Sequence, residues 1–397
     1  MSKKLIVVSS FPDQGEIHSA QTVGVASYTK TLLQAMAAQN QWREIVVLAE
    51  KIPTYQNYRE GNIEVERVWE RGNLGSLWRL ARRLQKHVDD QVLVEFEINE
   101  FGSPLATVWF VLLLILLRWS GVRVTLVMHQ VVGDFVALEG KNFTSVIKNL
   151  VKEILYASIK LGTDKMIVFE QELKNYLGGD DKIIVVPHFV TPAPAIDQAA
   201  CRQELGWSQD QHYLLCFGYI APYKGIRELL ELWPQQLGSV HLIIAGGANP
   251  NHADSPQVHT YINQVQELAQ AKGVEVTGFV PEEKMPLYLS ACDAMIFPYK
   301  IFMSSSGPLA FAFSYSKPVI LSSALSPYLQ TADFAKAIAD LDIRLSDFTY
   351  APTAHDLEKV ISHVLNNREQ FVSLSQHMAA ARSLEQIAAQ TWEVLEQ

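Results

Sequence analysis

Short apolar segments rich in β-branched residues alternate with longer helical segments along most of the chain, and this alternation limits the fold more than any other feature. Residues 122–129, with the sequence VRVTLVMH, are typical of a strand that is buried on both faces. Strand–helix alternation predicts a mostly parallel sheet covered by helices on both sides. We therefore expect an α/β protein.

The chain has 397 residues, which exceeds the size of one ordinary core, so two α/β domains of similar size are expected. Residues 191–197, TPAPAID, combine two prolines with small residues and are typical of a linker. The boundary between the domains is therefore predicted near residue 190.

Charge is divided unevenly between the two halves. Residues 1–190 contain 21 Lys and Arg against 21 Asp and Glu, which leaves 12 against 21 for the rest and places the whole net charge of −9 in the second half. This balance argues against nucleic acid as a partner. It leaves the first half free to present local basic patches.

The cysteines and the acidic residues suggest no metal chemistry. Cys201, Cys216 and Cys292 lack paired or metal-like spacing, and no His or carboxylate cluster indicates a metal site. A short strand, and not a long apolar run, follows Lys3 and Lys4. We expect a reduced, cytoplasmic setting.

A serine- and glycine-rich segment precedes the short helix predicted before residue 317. Ser304, Ser305, Ser306 and Gly307 would occupy its start, where backbone N–H groups have no intrahelical partner and the helix dipole favours an anion. Gly307 would let a ligand approach the backbone. This segment predicts a phosphate site, although an ordinary serine-capped helix remains an alternative at this point.

A second anion signal lies upstream. An apolar strand reaches Gly218, and Lys224 with Gly225 opens an amphipathic helix. Lys224 would therefore stand near the carboxyl end of a strand, where open α/β sheets bind ligands. A lysine there is a mobile cation suited to a phosphate.

Together these segments resemble the carboxyl-terminal domain of the family 4 glycosyltransferases, which are retaining enzymes of the GT-B fold. Each piece is weakly specific alone, but six occur in the family's order. They are Gly218 with Lys224-Gly225, residues 243–247 (IIAGG), residues 278–280 (GFV), Asp293 with Pro298, the helix over 304–314, and residues 317–320 (KPVI). The first half resembles the family less specifically, at Gly24, at His129 and at residues 183–190, where Phe189 replaces a glycine.

The resemblance implies two Rossmann-like, doubly wound domains that face a cleft. Residues 1–190 would bind the acceptor, residues 191–375 would bind the nucleotide sugar, and a helix over 376–397 would cross back to the first domain. The implied activity is transfer of a hexose, with retention, from a nucleotide diphosphate sugar to an unidentified glycan, lipid-linked or small acceptor. Such activity belongs to polysaccharide or glycolipid biosynthesis, and no cofactor or metal beyond the donor is implied.

The resemblance also assigns residues. His129 and Ser304 would be catalytic. The donor would contact a larger set, which consists of Gly24, Gly218, Tyr219, Lys224, Gly278, Phe279, Val280, Ser305, Ser306, Gly307, Pro308 and Leu309. Pro308 has no N–H and could only shape the turn.

Three positions depart from the family pattern. Its two glutamates fall at Ser304 and Ala312, and its phosphate-binding arginine falls at Tyr219. The alternative function is therefore a catalytically degenerate GT-B protein that acts as a binding or scaffold partner. His129 could instead be a structural histidine. Glu95 and Glu97 are interpreted mainly as exposed carboxylates at the edge of the sheet.

Two further segments raise the question of a membrane surface. Residues 76–87 (SLWRLARRLQKH) form a basic amphipathic helix with Trp78, Arg79, Arg82 and Arg83, and residues 104–117 are apolar all round but short for a membrane span. A surface helix beside a core helix explains both. Peripheral docking at the inner face of a membrane is the alternative.

Overall fold

The computed structural model describes residues 4–17, 24–39, 42–98, 100–136, 142–234, 237–248, 256–302 and 306–397. The chain divides into two compact units. The first contains Met1–His188 and Leu384–Gln397, and the second contains Phe189–Phe302 and Ser306–Ser383.

The first unit is built on a sheet with the order β3-β4-β2-β1-β5-β6-β7-β8. Its strands are β1 (Lys4–Ser9), β2 (Glu44–Glu50), β3 (Tyr58–Glu60), β4 (Ile63–Trp69), β5 (Gln91–Phe96), β6 (Arg123–Met128), β7 (Lys165–Val168) and β8 (Ile183–Val185). Neighbouring strands are parallel except for β3, which pairs antiparallel with β4. The parallel sheet was predicted, whereas β3 was not.

The second unit has an all-parallel sheet with the order β11-β10-β9-β12-β13-β14. Its strands are β9 (His212–Phe217), β10 (Val240–Ala245), β11 (Glu275–Val276), β12 (Ala294–Phe297), β13 (Val319–Ser322) and β14 (Thr349–Tyr350). The central strands are buried along almost their whole length, which explains their continuous apolar sequences.

Helices connect the strands in both units. Those of the first unit are α1 (Gly24–Ala38), α2 (Leu74–Leu84), α3 (Pro104–Trp119), α4 (Phe143–Gly162) and α5 (Gln171–Tyr176). Those that follow are α6 (Gln198–Leu205), α7 (Ile226–Leu232), α8 (Pro256–Lys272), α9 (Met285–Ala291), α10 (Gly307–Ser314), α11 (Ala332–Asp340), α12 (Ala354–Asn366), α13 (Arg368–Ala381) and α14 (Leu384–Glu396). Side chains of Ser103, Asn142, Asp197 and Ser306 cap α3, α4, α6 and α10.

The last helix belongs to the first unit, although it follows the second unit in sequence. Helix α14 packs against α1 and buries Leu395 almost completely. Gln39 donates a hydrogen bond to the Glu385 carbonyl, and Lys165 donates one to the Val394 carbonyl. These contacts attach the carboxyl terminus of the chain to the first sheet.

Each sheet has a point where the strand order changes direction. In the first sheet the chain moves outward from β1 through β2 on one side and from β5 through β6 on the other. In the second sheet the corresponding neighbours are β9 and β12. Loops that leave such a pair at its carboxyl end diverge, and the crevice between them is where open α/β sheets bind ligands.

Asp293 holds the base of the second sheet together. Its carboxylate accepts a hydrogen bond of 2.6 Å from Arg202 and one of 2.8 Å from the Tyr213 amide at the start of β9. Both Asp293 and Arg202 are buried. Their contacts make Asp293 a structural residue that orders the turn before β12.

We predict that Asp293→Ala lowers the free energy of unfolding of the second unit by about 3–5 kcal/mol, because it leaves the buried guanidinium of Arg202 without its partner. Urea denaturation, monitored by the fluorescence of Trp207 and Trp233 in this unit, measures the change. The matched control is Asp340→Ala, which breaks the exposed pair with Lys336 and should cost about 1 kcal/mol or less. Equal effects of the two substitutions would contradict this role.

Candidate functional site

The loop after β9 requires glycine at two positions. Gly218 has φ of +108°, and a Cβ atom there would lie 3.0 Å from Lys224 Nζ and 3.1 Å from Pro308 Cγ. Gly225 has φ of +68°, and its Cβ would lie 2.0 Å from the Pro298 carbonyl oxygen. Both backbone conformations are unfavourable for other residues. The two glycines therefore let the loop bring Lys224 against the end of the sheet.

Lys224 is a buried cation at the carboxyl end of β9. Its side chain is 7% exposed, and the Tyr299 ring, 5.9 Å away, lies beneath its ammonium. To the residues that the structure describes, this ammonium makes no hydrogen bond and no salt bridge. Burial lowers the pKa of Lys224 to about 8. A buried ammonium of this kind, beside Gly218 and Pro308, is suited to an anionic ligand.

The first turn of α10 lies next to this lysine. Ser306 caps the helix, accepts from the Leu309 amide at 3.4 Å, and lies 2.9 Å from the Tyr299 hydroxyl. The Leu309 amide is therefore already engaged, whereas the exposed Gly307 amide has no partner among the described residues. The Gly307 amide is therefore open to a ligand. Ser304 and Ser305 lie outside the described residues.

Two exposed aromatic rings lie at the carboxyl end of the second sheet. Tyr219 follows β9 and Phe279 follows β11, and their rings are nearly parallel, with centroids 6.5 Å apart. Gly247 permits this approach, because a Cβ there would lie 2.8 Å from the Phe279 amide nitrogen. Gly278 has φ of +75°, and the Val280 side chain is buried. The rings offer a flat apolar surface for an aromatic ligand group.

Ala312 lies on the buried side of α10 and is completely inaccessible. The position that carries the second family glutamate is thus part of the core in this protein. It presents no polar group to a ligand.

In the first unit, His129 follows β6 and pairs with a buried carboxylate. Its Nε2 atom lies 2.6 Å from Glu95 Oε2, and the Glu95 side chain is fully buried. The interpretation of Glu95 as an exposed edge carboxylate is therefore wrong. The register explains the contact, since Glu95 of β5 pairs with Val127 of β6, and His129 is on the same face two residues later.

Aromatic rings surround His129. Tyr28 of α1 meets it edge-on at 4.9 Å, and Phe169 meets it at 5.3 Å. His188 packs on both Tyr28 and Phe169. Sequence reasoning missed Glu95 as a partner and Tyr28 as a wall, because both contacts depend on strand order and helix placement. About a tenth of the His129 side chain is exposed, so one edge of the imidazole can reach a ligand.

Other polar groups lie at the same end of the first sheet. Burial, reinforced by the Glu100 carboxylate, raises the pKa of Glu97. Glu100 itself is buried and accepts a hydrogen bond from the Ser10 amide. Gly24 begins α1, and no described atom lies within 4 Å of the place a Cβ would take, so this glycine leaves open space at the helix start.

No group of three or more His, Cys, Asp or Glu side chains within the described ranges could hold a metal ion. The three cysteines are buried and unpaired. In the same part of the chain, no helix has both the length and the apolar character needed to cross a membrane.

Part of the sequence matches a known protein family, and solved structures resemble the fold. Residues 197–378, which contain the Lys224 loop and α10, match the family model of the glycosyl transferases group 1. A GDP-mannose:glycolipid 4-beta-D-mannosyltransferase from Xanthomonas campestris pv. campestris is 35% identical over 111 residues. This match spans 27% of the chain and 29% of that relative.

Solved structures resemble the whole chain. A sucrose-phosphate synthase from Thermosynechococcus elongatus superposes with a TM-score of 0.72 at 17% identity, over 100% of this chain and 98% of that structure. Anabaena HepE in complex with UDP-glucose gives a TM-score of 0.65 at 15% identity, over 99% of both chains. The protein therefore has the GT-B fold of glycosyltransferases, with two Rossmann-like domains, as the sequence predicted.

The pKa of Lys224 predicts how anion binding depends on pH. The ammonium attracts an anion only while it is protonated, so its contribution is present below about pH 8 and is lost as the pH rises through that value. Between pH 7 and pH 9 we expect the affinity for pyrophosphate, measured by calorimetry, to fall about tenfold relative to a Lys224→Arg variant, whose guanidinium stays charged. Parallel pH profiles of the two proteins would place the anion elsewhere.

Proposed function

We propose that this protein is a glycosyltransferase that transfers a hexose from a nucleotide diphosphate sugar to an acceptor. The observation that carries the proposal is the buried Lys224 ammonium beside Gly218 and the first turn of α10, which forms no hydrogen bond or salt bridge to the part of the chain that the structure describes. It lies within the segment that matches the glycosyl transferases group 1. A UDP-glucose complex among the similar structures and a GDP-mannose enzyme among the relatives support a nucleotide sugar as donor.

In this proposal Lys224 and the Gly307 amide hold the diphosphate. Breaking the bond between the sugar and the diphosphate leaves negative charge on the phosphate oxygens, and a fixed cation lowers that barrier. Because Lys224 makes no hydrogen bond or salt bridge to a described residue, its ammonium can compensate this charge without giving up such a bond. The low polarity around its buried side chain strengthens the attraction.

Tyr219 and Phe279 would hold the base. Tyr219 occupies the position of the family's phosphate-binding arginine, so one cation is lost there and an aromatic ring is gained. Base–aromatic stacking contributes about 1–3 kcal/mol per base and tolerates different bases. The aromatic pair therefore suits a nucleotide without selecting uracil or guanine.

We also propose an acceptor class and a stereochemical course for the transfer. The name of the Xanthomonas relative specifies a glycolipid acceptor, and we extend that class, a lipid-linked sugar, to this protein. Retention rests on the resemblance to family 4, whereas the relative's name specifies a β-linked product. Proton NMR of the anomeric centre in the first-formed product distinguishes retention from inversion.

A ligand screen followed by a transfer assay tests the activity. The melting temperature should rise with one class among UDP, GDP, ADP and their sugars, because a ligand of the folded state stabilises it. The stabilising sugar nucleotide is then incubated with lipid-linked acceptors. Binding without donor hydrolysis or transfer would favour the scaffold alternative, for which the buried Ala312 is the specific observation.

Two substitutions should separate the phosphate contact from the base contact. Lys224→Ala should weaken binding of both the nucleoside diphosphate and pyrophosphate by about 1.5–3 kcal/mol, the scale of a hydrogen bond to a charged group. Phe279→Ala should weaken the nucleotide by about 1 kcal/mol or more and leave pyrophosphate unchanged. Calorimetry measures both, and Lys336→Ala, at an exposed lysine of the second unit, is the control. Loss of both ligands with Phe279→Ala would rule out its assignment to the base.

We propose that His129 contacts the transferred sugar. His129→Ala should lower kcat about 10²-fold, the usual scale for a positioned polar group, with little change in nucleotide affinity. Glu95→Gln keeps the shape but removes the carboxylate that orients the imidazole, so we expect a smaller loss of kcat at an unchanged melting temperature. His355→Ala, on the surface of the second unit, is the control. A folded His129→Ala protein with normal turnover would make this histidine structural.

A further inference from the structure

The exposed apolar side chains of this protein are concentrated on two helices. Of twenty large hydrophobic residues that are exposed within the described ranges, twelve belong to α3 and α4. On α3 they are Leu105, Val108, Leu112, Leu116 and Trp119, which recur every three or four residues and form one stripe. Trp119 is 74% exposed. The expectation that the whole apolar segment of α3 lies in the core is therefore wrong for this stripe.

Helix α4 is also amphipathic, but its apolar side faces outward. Its outward stripe contains Phe143, Ile147, Leu150, Ile154 and Leu161, and Phe143 is 80% exposed. Its inward side carries polar groups that are satisfied inside the protein. Lys152 donates to the Gly133 carbonyl, and the Tyr156 hydroxyl accepts from the Val132 amide. The helix thus buries Lys152 and Tyr156 and exposes most of its apolar side chains, the opposite of an ordinary surface helix.

The two stripes lie on neighbouring helices. Helix α3 packs against α4, and Gly162 makes this approach close, because a Cβ there would lie 2.9 Å from Leu114 Cβ. Helix α2 also packs against α3, and the Trp109 indole donates to the Leu74 carbonyl. Right-handed crossovers between β4, β5, β6 and β7 place all three helices on one side of the sheet.

The charge of these helices is strongly positive. Together α2, α3 and α4 contain seven basic residues, namely Arg79, Arg82, Arg83, Arg118, Lys148, Lys152 and Lys160, against the single acidic residue Glu153. The whole chain has a net charge of −9. Arg79, Arg82 and Lys148 are exposed, and Trp78 of α2 is 42% exposed beside the first two.

We propose that the outward surface of α2, α3 and α4 docks on an anionic phospholipid bilayer. The apolar stripes of α3 and α4 would enter the boundary between headgroups and acyl chains, as interfacial helices do, and no span is required. Trp78 and Trp119 suit the same depth, since the indole is apolar with one polar N–H. Arg79, Arg82 and Lys148 match the negative lipid headgroups. A second copy of the same surface would instead bring like charges together.

Flotation with vesicles tests the surface without any sugar substrate, so its result is independent of the transfer reaction. The full chain is mixed with vesicles of phosphatidylcholine and phosphatidylglycerol, or of phosphatidylcholine alone. The variant is Leu112→Glu with Leu150→Glu, one substitution in each stripe. The matched control is Ile196→Glu with Leu345→Glu, at two exposed apolar residues of the second unit.

We expect the wild type to float with the anionic vesicles and to be partly released by salt. The Leu112→Glu, Leu150→Glu variant should lose at least about tenfold in partition coefficient, because each glutamate replaces an inserted leucine. The Ile196→Glu, Leu345→Glu control should bind like the wild type. Arg79→Glu with Arg82→Glu should reduce binding to anionic vesicles and flatten its salt dependence.

Three results would overturn the proposal. They are a wild type that does not float with anionic vesicles, a stripe variant that binds as well as the control, and a wild-type dimer that the stripe variant dissociates while neither protein binds lipid. If the stripe variant fails to fold, fluorescence quenching by brominated phospholipid replaces it. Quenching should be weaker in Trp119→Phe than in the wild type, and equal quenching contradicts insertion of this side chain.

Discussion

A buried ammonium that pairs with none of the described residues is the constraint on which the site of the second unit depends. Burying the charged form of a lysine away from water is costly, and burial therefore lowers the pKa of Lys224 to about 8. In the absence of an anion, folding is favoured as the pH rises from about 8 towards the ordinary value for lysine, because the unfolded chain then binds more protons. Anion binding weakens over the same range. The same residue therefore links stability and affinity to pH with opposite signs.

The first unit handles charge differently at the equivalent end of its sheet. There the Glu95 carboxylate is already paired with His129, so the imidazole is oriented by the protein before any ligand arrives. Tyr28 and Phe169 make edge contacts with the imidazole ring. A cation without a partner favours binding of a diphosphate, whereas an oriented imidazole favours positioning of a neutral hydroxyl. Each unit thus offers a different kind of polar group at this end of its sheet.

Local signals predicted the sheets, the loop of Lys224 and the start of α10, because each depends on a few consecutive residues. Gly218 and Gly225 predicted a turn before a helix, and the structure shows which atoms a Cβ at each position would approach too closely. The contact of Glu95 with His129 could not be predicted from the sequence, since it depends on the register of two strands separated by a helix. The aromatic pair of Tyr219 and Phe279 likewise joins loops about 60 residues apart in a parallel α/β sheet.

Helices α3 and α4 show a different limit of sequence reasoning. An all-round apolar segment such as α3 has no periodicity that separates its inner from its outer side, so the sequence is compatible with burial or with exposure. In the structure, Phe110, Leu113, Leu114 and Leu117 supply the contacts with the core. The outward leucines therefore add nothing that polar residues could not provide for folding, and they expose apolar surface to water at a cost. The bilayer that we propose on that side of the sheet would remove this cost, and the basic residues on the same three helices would match its anionic surface.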